Sequence, residues 1–522
     1  MARSFGRIGA VPLIEDWSAD FTHSASERSY VVSRRDGKFF LRRALIGGRD
    51  VVEKEIHYVV GSGEHSRTYL HRKKNGSLVE LPLSWYSERG GHWAMSPGYD
   101  RPNHSDFRRE VPDSCLFCHN AYPQQTSLDV ADGIDCQRCH GPGEEHVTRR
   151  APILNPARLT PERQMEVCLQ CHLESASRTI PDAIRRYGRG PYSYRPSEPL
   201  SAFTIYFDRD LPAAGDPITV NHSAYGLRQS KCFLRADGKL LCTTCHNPHR
   251  SVRGEDAANQ YAQACRGCHA SVHPDRSTGC ASCHMPKRRA EDAIHVVITD
   301  HRIQRIPQAA DLRTPGNEQH GRYAGPVKLY YPATLPDTPE NRMYQAVAAL
   351  VDTAKLRDAT ARLESVLTAV QPRYGEVYRQ LADALRKLGR SDKAIVNYRR
   401  SIELSPDDTA ALTALADLLL EKNEPDQAIW LLENAGAKTT DDPARLNSLA
   451  VAYARKSRFS EAEGLLRRAL QIDDDSPLTW LNLGVSLQAR GQNSAAAEAY
   501  RNALRLQPDF SRARSYLNQL SH

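Results

Sequence analysis

"DCQRCHGPGEEH", residues 135–146, decides how the middle of this 522-residue chain is read. Two cysteines stand three apart, a histidine follows at once, and a second histidine comes six residues later. One copy would fit a zinc half-site, a redox pair or chance. The arrangement recurs. Cys115/Cys118/His119, Cys136/Cys139/His140, Cys168/Cys171/His172, Cys242/Cys245/His246, Cys265/Cys268/His269 and Cys280/Cys283/His284 repeat it, so twelve of the 13 cysteines lie in six C-x-x-C-H motifs.

C-x-x-C-H has a specific chemical reading, covalent haem attachment. Two thiols add across the two vinyl groups of one haem, and the next histidine is placed to bind iron from one face. Zinc needs about four ligands per site, usually from two such pairs, and leaves the six histidines unexplained. A thioredoxin-like site is one pair, not six. A disulfide scaffold calls for no histidines either. The motifs span residues 115–284, about 28 residues each. That is too little protein for six separate domains, so about six haem c groups are expected to form the core themselves.

Each iron also needs a second ligand or an open face. Two histidines give an electron carrier; an open face gives a site for a small molecule. Fourteen histidines lie outside the motifs. The candidate distal ligands are His146, set after a Gly-Pro-Gly turn, His249 in "CHNPH", His273 in "CHASVH", His295 and His301 in "AIHVVITDHRIQR", and His222 in "VNHSAYGLRQ". His23, His57, His65, His71, His92, His104, His320 and His522 are taken as ordinary surface or core residues. Met95 and Met285 are taken as packing, and Cys232 as a small buried hydrophobe.

The rest of the chain is expected to be multidomain. Residues 1–104 read as β-rich, with hairpins around Asp36-Gly37 and Asn75-Gly76, dipeptides that supply the positive φ angles of tight turns. Residues 105–305 read as a loop-rich multihaem domain with short helices. Residues 306–340 are a Pro/Gly-rich connector. Residues 341–522 carry a 34-residue period: Ala394, Ala428, Ala462 and Ala496 keep it, as do Leu381, Leu415, Leu449 and Leu483. This is the tetratricopeptide pattern, an all-α solenoid. The repeats are 375–408, 409–442, 443–476 and 477–510, with a degenerate copy over 341–374 and a capping helix over 511–522.

Hydrophobic residues make up 40% and charged residues 25% of the chain, ordinary for a globular protein. No run of about 18 apolar residues predicts a transmembrane helix. The formal charge of +8 comes without a basic run interleaved with aromatics, which argues against nucleic acid. The excess lies mainly before the repeats, with +2 in residues 341–522 and +6 in residues 1–340. It reads as neutralisation of haem propionates.

"CHGPGEEH", "CTTCHNPH", "CASCHMPKRR…DAIHVVITDHRIQR" and the lead-in "YVVGSGEHSRTYL…LPLSWY…GGHWAMSPGYD" resemble the multihaem cytochromes c of the cytochrome c-552/c-554 type, including the doubled C-x-x-C-H proteins, with tetratricopeptide repeats fused behind. The resemblance implies a periplasmic or otherwise extracytoplasmic electron carrier with histidine pairs on most irons. Redox partner proteins would dock on the repeats. The alternative it leaves open is an oxidoreductase acting on a small nitrogen or sulfur compound at a five-coordinate haem. Haem attachment of this type occurs outside the cytoplasm, yet no export signal is visible at the start. The expectation is that Met1 is an internal methionine and that the gene starts upstream.

Overall fold

A computed structural model describes residues 4–48, 50–123, 132–173, 183–210, 218–269, 279–305, 313, 314, 316, 318, 323–437 and 439–520. Its first part is built of two antiparallel sheets. Asp20–His23, Arg28–Arg35, Lys38–Leu45 and Val52–Ile56 form one in sequence order. The other runs Phe5–Arg7, Tyr58–Val60, Ser66–Arg72, Leu78–Tyr86 and Arg109–Glu110, with His92–Met95 also paired to Leu78–Tyr86. The sheet therefore continues to residue 110, past the expected boundary at 104. Tyr30, Val32, Leu41, Tyr69, Leu81 and Leu83 alternate inward and fill one core.

The two turns differ. Asp36 and Gly37 both take positive φ, 50° and 76°, as a two-residue primed turn requires. At the second hairpin Arg72 pairs with Leu78, so the connection is a five-residue loop over 73–77. Of the Asn75-Gly76 pair only the glycine takes positive φ, and the Asn75 side chain accepts from the Ser77 N–H at 3.0 Å. The dipeptide marks the turn but does not fix its length.

The motif region is made of short helices: Asp113–His119, Gln137–His140, Glu144–Arg149, Pro161–His172, Cys242–Cys245, Gly254–Arg266 and Cys280–His284 among them. A three-stranded sheet, Ala183–Arg185, Thr204–Arg209 and Val327–Tyr331, stiffens it. Val327–Tyr331 falls inside the expected connector. The prolines and glycines around it outweighed a five-residue strand in the sequence reading, yet it belongs to the motif region's sheet.

The repeats follow their period closely. Their first helices begin at Gly375, Thr409, Pro443 and Pro477, 34 residues apart. Asp408, Asp442 and Ser476 cap the last three through their side chains. Pro339–Ala349 and Leu356–Val370 form the degenerate copy, and Ser511–Gln519 the final helix. Small residues fall where helices cross. A Cβ on Gly484 would run into the Tyr500 ring.

The array is anchored at both ends. At its start, the Tyr187 backbone N–H donates to the Tyr344 hydroxyl at 2.8 Å and the Tyr187 hydroxyl donates to Gln380 at 2.6 Å. At its end, Asp473, Asp474 and Asp475 meet Lys73, Lys74 and Lys54 of the β-rich part. Arg43 also donates to the Arg505 carbonyl at 2.8 Å. The repeats thus bridge the motif region and the β-rich part.

Candidate functional site

Each motif forms one helical turn. A C-x-x-C spacing places both thiols on one side of that turn, and the histidine follows at its end. The His140 N–H donates to the Cys136 carbonyl, that of His246 to Cys242 and that of His269 to Cys265, at 2.9, 2.9 and 3.0 Å. All thirteen cysteines are free thiols. Cys232 is half-buried rather than buried.

The twelve motif thiols are partly open. Cys115, Cys136 and Cys268 are exposed. Cys118, Cys139, Cys168, Cys171, Cys242, Cys245, Cys265, Cys280 and Cys283 are half-buried. A single helical turn has too little apolar surface of its own to cover its side chains, so their cover depends on segments elsewhere in the chain. Cys268 and Cys283 show this in the last two motifs. The Cys268 N–H donates to the Cys265 carbonyl at 3.2 Å and the Cys283 N–H to the Gly279 carbonyl at 3.3 Å, so the backbone closes each turn without burying the thiol.

The motifs sit against one another. The thiols of Cys118 and Cys171 are hydrogen-bonded, as are those of Cys168 and Cys242, and of Cys265 and Cys280. Hydrogen bonding to Cys242, together with burial, pushes the Cys168 thiol well up. The first motif therefore touches the third, the third the fourth, and the fifth the sixth.

Burial holds the imidazoles of His119, His172, His246, His295 and His301 below their ordinary pKa, and so neutral. Several have a fixed tautomer. The Nδ1–H of His140 donates to the Leu154 carbonyl at 2.8 Å, that of His284 to Gln304 at 2.6 Å and that of His301 to Thr299 at 3.0 Å. His172 Nδ1 lies 3.2 Å from Asn221 Oδ1, and Asn221 in turn donates to the Cys171 carbonyl at 2.8 Å. A carbonyl oxygen can only accept, so the proton sits on Nδ1 and the Nε2 lone pair is left for a metal.

Two ring pairs join a motif histidine to a histidine outside the motifs. The rings of His140 and His249 lie 6.0 Å apart with planes 20° from parallel. Those of His246 and His301 lie 6.2 Å apart at 31°. Two metal–nitrogen bonds of about 2 Å each, plus about 1.1 Å from each ring nitrogen to its ring centre, require a separation of about 6 Å. Thiols three apart, imidazoles with Nδ1 tied back, and ring pairs at this spacing all fit a covalently held haem.

The other candidate distal residues are placed differently. His146 is exposed on its own short helix, its Nδ1–H donating to the Ala151 carbonyl at 2.8 Å. His222 is 2% exposed and packs on Tyr225. His295 lies 5.7 Å from His92, a histidine the sequence reading set aside, and 4.9 Å from Tyr86. His273 lies outside the described residues. The sequence reading also passed over Arg138, the residue before Cys139, which is 1% exposed. Nothing in its local sequence marks it as buried.

Models of known families match parts of the chain. A doubled CXXCH motif matches residues 235–274, and tetratricopeptide repeat models match 375–408, 392–452, 446–477 and 481–518. The multiheme cytochrome MtrA of Shewanella baltica (strain OS185) is 22% identical over 211 residues, which cover 36% of this chain. The chain spans 57% of that relative's length. Among solved structures, MamA (41-end) from Desulfovibrio magneticus RS-1 is similar at 18% identity, covering 34% of this chain and 99% of its own, with a TM-score of 0.30. A tetratricopeptide repeat protein from Parabacteroides merdae ATCC 43184 matches at 15% identity over 34% of this chain and 71% of its own, with a TM-score of 0.32. The chain carries the doubled motif of multihaem cytochromes, which supports covalently bound haem c, followed by several tetratricopeptide repeats. Among the described residues no helix is long and apolar enough to cross a membrane.

Proposed function

We propose that this chain is an extracytoplasmic c-type cytochrome that carries electrons through six closely packed haems. Its cysteine pairs would hold each haem by two thioethers, formed by adding an S–H across each vinyl group. His119, His140, His172, His246, His269 and His284 would bind the irons from one side. His249 would complete the iron of His140, and His301 that of His246. Bound haem supplies reversible one-electron chemistry. The chain's own part is to fix the imidazoles, keep them neutral and hold neighbouring motifs in contact, so that electrons pass between adjacent rings.

The observation that carries this reading is the two imidazole pairs, His140–His249 and His246–His301, with ring centres 6.0 and 6.2 Å apart. An iron closed on both faces transfers electrons and leaves no position for a substrate. The repeats would dock a redox partner. Val396 and Trp430, 66% and 69% exposed, lie 34 residues apart and so occupy one position in successive repeats.

Low-temperature electron paramagnetic resonance of the oxidised, haem-loaded protein tests the reading. Low-spin ferric signals alone are expected. His249→Ala and His301→Ala should each convert one haem equivalent to high spin. A high-spin signal in the unmutated protein would move the assignment to an oxidoreductase with an open iron.

A further inference from the structure

Arg138 lies inside the second motif, between Cys136 and Cys139, and is 1% exposed. Its guanidinium carbon stands 4.1 Å from the centre of the Phe117 ring, 4.9 Å from Tyr122 and 5.7 Å from Tyr192. Nη2 donates to the Phe117 carbonyl at 2.7 Å, and the guanidinium also hydrogen-bonds the Cys171 thiol. Nε and Nη1 are buried with no acceptor. Among the described residues no carboxylate comes within ion-pair distance of it. The nearby Asp135 carboxylate takes up the backbone N–H and side-chain amide of Gln137 instead. The other buried arginines differ in this: Arg43 has Asp106 at 2.8 Å and Arg67 has Glu15 at 2.8 Å.

A buried guanidinium without a counter-ion is costly, because its permanent charge cannot be relieved by losing a proton. Three aromatic faces offset part of that cost. They leave Nε and Nη1, on different edges of the guanidinium, without an acceptor, and either can donate to a carboxylate oxygen. The thiols next to it, Cys139 and Cys171, belong to two different motifs. Arg138 therefore sits where haems would meet, and each haem brings two carboxylates of its own.

We infer that Arg138 is a buried carboxylate site that holds a haem propionate and sets the reduction potential of that haem. The inference rests on the proposed haem-bearing function. The cation stays in place whatever the iron's oxidation state. It opposes the extra positive charge of the ferric form and so favours the ferrous one. Arg138 acts through the propionate and is a positioning residue.

The test is a spectropotentiometric titration of the haem-loaded protein with Arg138→Gln and Arg138→Lys, after haem content is measured in each. In Arg138→Gln the reduction equilibrium of one haem should fall about tenfold, a downward shift of about 59 mV for one electron. The other haems should stay in place. Arg138→Lys keeps the charge and should restore most of the shift. A fully loaded Arg138→Gln protein with every midpoint unmoved overturns the inference. So does an equal shift in both variants, which would mean lost packing rather than lost charge. If Arg138→Gln does not load, the wild type and Arg138→Lys are compared by redox-difference infrared spectroscopy with haem labelled at its propionate carbons. One carboxylate stretch should move as the planar guanidinium gives way to a point charge, and identical spectra overturn the inference. Wild-type protein that binds no haem would instead sink the functional reading itself.

Discussion

The repeat array and the motif region solve the problem of a core in opposite ways. In the array, small and aliphatic side chains recur at fixed spacing, and one continuous cluster runs through it to Ala513, taking in Ile184, Tyr187, Ile205 and Phe207 of the motif region's sheet at its start, with Leu415, Leu449 and Leu481 wholly or almost wholly buried. Each helix pair hands its apolar face to the next. In the motif region the helices run from four to 13 residues, and the largest apolar cluster there mixes Phe117, Met165, Tyr194 and Tyr331 with half-buried cysteines. Short helices are marginal on their own. The array is written to fold by itself. The motif region is written around something the chain does not encode.

Removing the haem should break that comparison most sharply. When attachment is blocked, by replacing the cysteines with alanine or by producing the chain where no attachment machinery exists, the segment 113–305 should lose its slow-exchanging amides. The helices of 375–519 should keep theirs. Hydrogen exchange followed by mass spectrometry reads both regions in one experiment. Equal protection with and without haem would mean that the motif region closes its own core, and the contrast would fail.

The converse substitution lies in the array. Leu449 is fully buried between repeats. Leu449→Ala removes buried methyl groups and leaves a cavity, at a cost of about 2–5 kcal/mol. Urea titration followed by far-ultraviolet circular dichroism should show the loss, while the haem spectrum at low urea stays that of the wild type. A haem spectrum that changes with Leu449 would show that the two regions fold as one unit, through the Tyr187–Tyr344 contact.

What could be read ahead of the structure follows the same division. A 34-residue period is a local signal repeated, so it gave the helix starts at residues 375, 409, 443 and 477 to the residue. The C-x-x-C-H turns were equally plain, because the ligand spacing lies within five residues. How open each thiol stands was not, as exposed Cys268 and half-buried Cys283 show, because burial depends on segments far away in the chain. Which histidine rings come together is a long-range property too. His249 and His140 are 109 residues apart in sequence yet 6.0 Å apart as rings. His146 lies only six residues from His140 and stands exposed. The short helix Glu144–Arg149 leaves that imidazole exposed, its Nδ1–H donating to the Ala151 carbonyl. Arg138 was missed for a related reason: an arginine gives no local sign of being buried until two separate segments wrap it in three aromatic rings. The anchoring of the last repeat on Lys54, Lys73 and Lys74 was likewise invisible, because charges on both sides look like ordinary solvated surface.

That anchored end supplies the finest test of the contrast, through pH. His104 is fully buried in the β-rich part. The Arg28 guanidinium lies 2.8 Å from its Nε2 and the Tyr30 hydroxyl 3.1 Å, while the Asp106 N–H donates to its Nδ1 at 3.1 Å. The rings of Tyr99 and His23 also stand against it. Asp106 accepts from Arg43, and Arg43 reaches on to the Arg505 carbonyl of the last repeat. Burial first, then the charges of Arg28 and its neighbours, push the His104 imidazole down to about 2. Its folded pKa therefore lies below that of the unfolded chain. Above about pH 6.5 it is neutral in both states and has no effect. Below that the unfolded chain takes up a proton that the folded one refuses, so stability falls with acidity at up to about 1.4 kcal/mol per pH unit. Between neutral pH and about pH 5, His104 should account for about 2 kcal/mol of lost stability. His104→Gln should be less stable at neutral pH and lose correspondingly less on acidification, measured by urea titration of tryptophan fluorescence. A slope unchanged in the variant would place the acid sensitivity elsewhere. A slope that disappears would locate it at the joint between sheet and array, away from the motif region, where bound iron would hold the imidazoles against protonation.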